Sequence, residues 1–250
     1  MILLDFDGVL INSRDEVVVT TYRYLTKSDA TKISDLPPFY AEKMRKLRPF
    51  AGPAHELIPL AGWCLENRDE EFTEETLHSL CEKSSIEPKE RAARFFAARA
   101  EFFKKHPQAW YDIHAIYEPF VPTIKKISSH CTILTNKNKV ATKTLLDHFD
   151  IPIGEERIFS GDNGVTKSEN LEKIAALYSQ NSFLFFDDHA GVLAEVMDDL
   201  PEGITVVPYL ALWGFSSPEH TELARERGYK LVDQEEASKI VISYTAQSLR

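Results

Sequence analysis

From residue 131 onward, short apolar runs alternate with stretches of helical periodicity. That alternation restricts the fold more than any other feature of the chain. The runs are Cys131–Thr135, Arg157–Ser160, Ser182–Asp187, Ile204–Tyr209 and Lys230–Val232, with one more, Ile2–Phe6, near residue 1. Helical patterns fall between them over Val140–His148, Ser168–Tyr178 and Ala190–Met197. Strand and helix repeated in this way predict a parallel sheet covered by helices. Short runs that are apolar throughout fit strands buried on both faces. The expected fold class is α/β, with a Rossmann-like parallel sheet as its core.

The interval 13–121 has a different texture. It reads as helix after helix, punctuated by Pro37, Pro38, Pro49, Pro53, Pro59, Pro88 and Pro107. Within Lys89–His106, Phe95 and Phe96 recur seven residues later as Phe102 and Phe103, which places them on one face of a helix. An all-helical module over 13–121 is therefore expected inside an α/β core formed by 1–12 and 122–250.

Bulk properties narrow the function classes. A formal charge of −10 argues against a broad nucleic-acid or anionic-membrane footprint. An anionic substrate would need a local positive site. No apolar stretch approaches the ~18 residues of a membrane span. The opening apolar run is broken at Asp5 and lacks a basic lead-in, so no export signal is expected. Cys64, Cys81 and Cys131 are widely spaced and read as reduced. These features lead us to expect a cytoplasmic protein that engages neither nucleic acid nor membrane, and a monomer or homodimer is expected.

In open α/β sheets, ligands bind beyond the carboxyl ends of the strands. The first run ends in Asp5-Phe6-Asp7-Gly8, the second in Thr135-Asn136-Lys137, and the fourth in Asp187-Asp188; Lys167 precedes Ser168, read as a helix N-cap. Two carboxylates one residue apart repel, and burying either alone is costly, so a bound cation is the obvious compensation. Taken singly, each feature has a bland reading: a solvated strand end, a strand-ending threonine, an N-cap. Their order along one chain is what makes a site of them.

This set resembles the four motifs of the haloacid dehalogenase superfamily of phosphotransferases. DFDGVLINS matches the first, TILTNK the second, Lys167 in VTKSEN the third and FLFFDD the fourth. ALWGFSSPEH looks like the segment after the fifth strand of phosphoglycolate-phosphatase-like members, and a helical insert between the first two motifs is what that family calls a C1 cap. The resemblance implies an Mg2+-dependent phosphatase acting on a small phosphomonoester through an aspartyl-phosphate. Asp5 would be the nucleophile and Asp7 the general acid and base. Thr135 and Lys167 would stabilise the phosphoryl group, with Gly8 and Asn136 helping to bind it. Asp5, Asp188 and the Asp7 carbonyl would hold the metal, Asp187 directly or through water.

Two departures from the family pattern stand out. Val192 occupies the place of a further acid, and Ser168 the place of a proline after the third-motif lysine. Lys137, Lys139 and Lys173 are rivals to Lys167. His189 reads as a loop histidine beside the metal site. In the basic run KMRKLRPFAG, Arg48 is the candidate for an anionic part of the substrate, against the plain reading of a solvated helix face. A β-phosphoglucomutase-like mutase would use the same motifs, and a non-catalytic phosphate-binding protein would share the scaffold. Asp7 argues against a dehalogenase, since that branch lacks an acid there.

Overall fold

The computed structural model describes residues 1–66 and 70–248. The chain opens with β1 (Ile2–Leu4) and β2 (Ile11–Asn12). It continues through α1 (Arg14–Thr26), α2 (Pro38–Leu47), α3 (Ala54–Leu65), α4 (Glu74–Glu82), α5 (Pro88–Lys105) and α6 (Pro107–Asp112). After β3 (Ala115–Ile116) come α7 (Phe120–Lys126), β4 (Cys131–Thr135), α8 (Lys139–His148), β5 (Ile158–Ser160) and α9 (Lys167–Tyr178). The chain then runs through β6 (Ser182–Asp187), α10 (Ala190–Asp198), β7 (Thr205–Ala211), α11 (Pro218–Glu226), β8 (Lys230–Val232) and α12 (Gln234–Ser248). It divides into two compact units, Met1–Asn12 with Ile116–Arg250, and Ser13–Ala115.

The first unit is an α/β layer structure. Its sheet has six strands in the order β5-β4-β1-β6-β7-β8, all paired in parallel. Ile2, Leu3 and Leu4 of the central β1 are wholly buried, as a strand covered on both faces requires. One face carries Leu3, Leu134, Leu171, Ile174, Phe183, Phe185 and Leu193 in a single cluster. Elsewhere Phe186 stacks on Tyr209 with ring centroids 4.5 Å apart, and Phe120 packs against Phe186 and Trp213. Each fully buried side chain of this size contributes about 1.5–3 kcal/mol. The sheet order switches direction around β1, so a crevice is expected at the carboxyl ends of β1, β4 and β6.

Several boundaries differ from the sequence reading. The ladder of β1 ends at Leu4, although the Asp5 N–H still donates to the Phe186 carbonyl at 2.9 Å. Beyond it the chain coils: the N–H groups of Leu10 and Ile11 both donate to the Phe6 carbonyl. Helix α9 is capped by Thr166, not Ser168. Thr166 Oγ1 accepts from the Glu169 N–H at 3.1 Å while Glu169 returns a bond to the Thr166 N–H at 2.8 Å. Only Thr166 has an acid three residues on, which completes the reciprocal box. The chain re-enters the first unit at Ile116 rather than at 122: the Tyr117 N–H donates to the Leu10 carbonyl, and Phe120 and Val121 are buried.

The second unit is helical throughout its named elements, α1 to α6. On α5, Phe95 and Phe102 are in the core while Phe96 and Phe103 are partly buried. Arg91 on the same helix reaches the carbonyls of His55, Cys81 and Ile86. Arg99 makes a two-point ion pair with the buried Glu16, both contacts 3.0 Å. No helix among the described residues is long and apolar enough to cross a membrane.

Candidate active site

The first unit brings Asp5, Asp7, Thr135, Lys137, Lys167, Asp187 and Asp188 into linked contact at or just beyond strand ends. Lys167 is the first residue of α9, and its Nζ lies 2.7 Å from Asp5 Oδ1 and 2.6 Å from Asp187 Oδ2. Being at the start of a helix fixes its backbone while its stem spans to the sheet. Burial works against its charge, but Asp187 and Asp5 outweigh that and hold the ammonium well above the usual lysine range. Among the rival lysines, Lys173 is exposed, and the Lys139 N–H is tied to Asp162. Lys137 engages the other first-motif carboxylate, and its Nζ contacts both oxygens of Asp7, at 3.0 and 3.1 Å.

The two carboxylates of the first motif thus contact different lysines, Lys167 being shared between Asp5 and Asp187. Asp5 is buried, and burial pushes its carboxyl up to about 7 against the opposing pull of Lys167. Asp7 stands where the chain coils away from β1, bridging to Ile11, and its side chain is 16% exposed. Thr135 closes β4, fully buried, and its Oγ1 accepts from the Lys137 N–H at 3.2 Å. Asn136 lies between them, with Gly161 packed against its backbone.

Asp187 and Asp188 diverge although they are adjacent. Asp187 Oδ1 accepts from the His189 N–H at 3.0 Å. Asp188 Oδ2 accepts from the Phe215 N–H at 2.5 Å. His189 itself caps α10, its Nδ1 accepting from the Val192 N–H, and its ring lies 4.0 Å from that of His220. Oxygens of Asp5, Asp187 and Asp188 all lie within 4.8 Å of one another, the one such metal-capable group found among the described residues.

Two glycines make room for this arrangement. Gly8 has φ +87°, and a Cβ there would come 1.8 Å from Asp188 Oδ2. Its N–H donates to the Ile11 carbonyl at 2.8 Å. A Cβ on Gly214 would lie 2.4 Å from both Asp188 Cβ and the Gly8 carbonyl oxygen. The neighbouring Trp213 Nε1 donates to the Val9 carbonyl at 3.1 Å. Residues 213–215 therefore clasp both the turn after β1 and Asp188. The ALWGF segment is legible as a family-like stretch, but its grip on Asp188 is not.

Arg48 belongs to the helical unit. It sits in a short 3-10 turn after α2, buried, with its guanidinium donating to the Ala51 carbonyl. The basic run around it is not a single solvated face: Lys43 lies over the Trp63 ring, Arg45 pairs with Asp15, and Lys46 is exposed.

The donor set is consistent with a hard divalent cation. Four carboxylates (Asp5, Asp7, Asp187, Asp188) and two ammoniums (Lys137, Lys167) sum to a formal −2 when all are ionised. The candidate ligands are carboxylate oxygens, which suit Mg2+.

No family model matches the sequence, and no curated protein matches it either. Solved structures do. A predicted phosphatase from Clostridium acetobutylicum superposes with a TM-score of 0.61 at 18% identity, covering 97% of each chain. A candidate phosphoglycolate phosphatase from Lactobacillus delbrueckii gives 0.61 at 13% identity over 96% of this chain and 97% of that one. A haloacid dehalogenase-like hydrolase from Streptococcus pneumoniae gives 0.55 at 11% identity over 98% and 97%. With its parallel sheet, its inserted helices and these neighbours, the chain has the haloacid dehalogenase fold.

Proposed function

We propose that the protein is an Mg2+-dependent phosphatase that hydrolyses a small phosphomonoester through an aspartyl-phosphate. The observation that carries this reading is the contact of the two first-motif carboxylates with different buried lysines, Asp5 itself belonging to a cluster of three aspartates. On this reading one carboxylate attacks and the other transfers the proton. The named similarity of structural neighbours to phosphatases supports the same reaction class.

Asp5 attacks the phosphorus, the bond to the leaving oxygen breaks, and Asp7 delivers a proton to that oxygen. Asp7 then takes a proton from the water that attacks the aspartyl-phosphate, and Asp5 is released as a carboxylate. Lys167 supplies fixed positive charge beside Asp5, and Thr135 offers its hydroxyl to the phosphoryl oxygens. Asp5, Asp188 and the Asp7 carbonyl would hold the metal, with Asp187 as a direct or water-bridged ligand. When bound, Mg2+ supplies Lewis-acid polarisation of the phosphoryl group and offsets the repulsion between it and Asp5. The helical unit serves as the cap that selects the substrate, with Arg48 as the candidate contact to an anionic group.

The test is phosphate release from phosphoglycolate, hexose phosphates, nucleoside monophosphates and p-nitrophenyl phosphate, with Mg2+ and with chelator. Metal-dependent release favouring one compound supports the proposal and names what the cap selects. No release from any of them by folded, metal-loaded protein would refute it.

A further inference from the structure

The contact of Lys137 with Asp7 has no counterpart in the roles assigned above. Lys137 follows the end of β4 by two residues, and its side chain is wholly buried. Its ammonium spans both oxygens of Asp7, at 3.0 and 3.1 Å, above the Phe6 ring at 6.0 Å. Its backbone is pinned through Thr135 Oγ1. Asp7 is the opposite case. It has left the strand, precedes a glycine at φ +87°, and keeps a partly exposed side chain. A two-point bond from a rigid donor removes the rotation of that carboxyl group. Unlike the Glu16–Arg99 pair, which is sealed on both sides, this one leaves its carboxylate 16% exposed beside the cluster of aspartates, so fold maintenance alone is a poor account of it.

We propose, on the basis of the phosphatase reading, that Lys137 is a positioning residue: it fixes the Asp7 carboxyl in the orientation needed for proton transfer, while Lys167 serves Asp5. The two lysines then divide the site into a phosphoryl-transfer half and a proton-transfer half. The division has a kinetic consequence. With p-nitrophenyl phosphate, Asp5 attacks phosphorus and p-nitrophenolate leaves with its electron pair, needing no proton. Breakdown of the aspartyl-phosphate still requires Asp7 to take the proton of the attacking water. Removing Lys137 should therefore spare the first step and slow the second.

The experiment is rapid-mixing kinetics of Lys137→Met, Lys137→Gln and Asp7→Asn with p-nitrophenyl phosphate and Mg2+, alongside inhibition by orthovanadate. Wild-type, metal-dependent turnover is the control for the phosphatase reading, and its absence would count against that reading and not against the role of Lys137. The expected result is a burst of about one p-nitrophenol per enzyme, followed by steady-state turnover about 10²- to 10⁴-fold below wild type. Vanadate inhibition should be unchanged, and Lys137→Met combined with Asp7→Asn should be no worse than Asp7→Asn alone. Loss of the burst with weakened vanadate inhibition would make Lys137 a phosphoryl-binding residue and overturn the proposal. Wild-type turnover in both Lys137 variants would overturn it in favour of a structural role. Lys137→Gln keeps a hydrogen-bond donor and similar volume, so it provides the reading where Lys137→Met does not fold. An Mg2+-induced rise in melting temperature in each variant verifies the fold.

Discussion

Both units bury charge, and they do so in opposite ways. In the helical unit, Glu16 is matched one to one: Arg99 bonds both its oxygens, and Thr20 donates to one of them at 2.7 Å. In the α/β unit, Asp5 and Asp187 share Lys167, and Asp188 accepts a backbone N–H from Phe215. The first arrangement has no net charge and satisfied geometry. The second carries an excess of carboxylate, and there burial raises the Asp5 carboxyl against the pull of Lys167. A balanced pair sealed inside helices has the mark of structure, whereas an unbalanced cluster at strand ends has the mark of a candidate site.

The comparison can be broken most decisively at Asp5. Asp5→Asn should show no detectable turnover while its far-ultraviolet circular dichroism matches wild type. In chelator it should melt no lower than wild type, because a desolvated charge has been removed. Activity near the parent level would end the nucleophile assignment.

Glu16→Gln should do the reverse. Breaking the pair leaves Arg99 buried against a neutral partner, and denaturant unfolding should show a loss of about 3–5 kcal/mol. Mg2+ should still raise its melting temperature. A loss below about 1 kcal/mol would mean that this pair is no more structural than the cluster it is contrasted with.

Gly214→Ala tests the clasp on Asp188. The new methyl meets the Gly8 carbonyl and Asp188, so one of them must shift. At Mg2+ 100-fold above its Kd, wild type should gain about 2.7 kcal/mol, and the variant should lose most of that gain. An undiminished shift on Mg2+ titration would separate the 213–215 loop from metal binding.

The smallest effect is on pH dependence. The Asp5 carboxyl is raised in the fold to about 7, from about 3.9 in an unfolded chain. The folded state thus binds the extra proton between those values. The contribution of Asp5 to stability is fullest below about pH 4 and is lost as the pH rises through about 7. In chelator, the melting temperature of wild type relative to Asp5→Asn should fall from pH 5.5 to about 7 and then level off. A relative rise over that window would contradict the burial of an unbalanced carboxylate.

Much of this is legible in the sequence because apolar runs and turn chemistry are local signals. The strand ends at Thr135, Asp187 and Asp188 follow from the runs that precede them, and the order of motifs points to their convergence. The cap of α9 lies two residues before Ser168 because only Thr166 has the reciprocal bond from Glu169. The Lys137–Asp7 pair joins residues 130 apart in sequence, and no periodicity specifies such a contact. The role of Gly214 depends on the close approach of two loops, which only packing reveals. Arg48 shows the converse limit: the basic run offers either a solvated face or a contact to an anionic group, and neither reading foresees a buried side chain donating to the Ala51 carbonyl.

The central claim is that Asp5 carries the phosphoryl group. It is tested most directly by acid-quenching wild type during turnover with Mg2+ and mapping phosphorylated peptides by mass spectrometry. One phosphoryl group on Asp5, absent in chelator and absent in Asp5→Asn, is the predicted result. Sustained phosphate release with Asp5 unmodified at every quench time, and with Asp5→Asn still active, would contradict it.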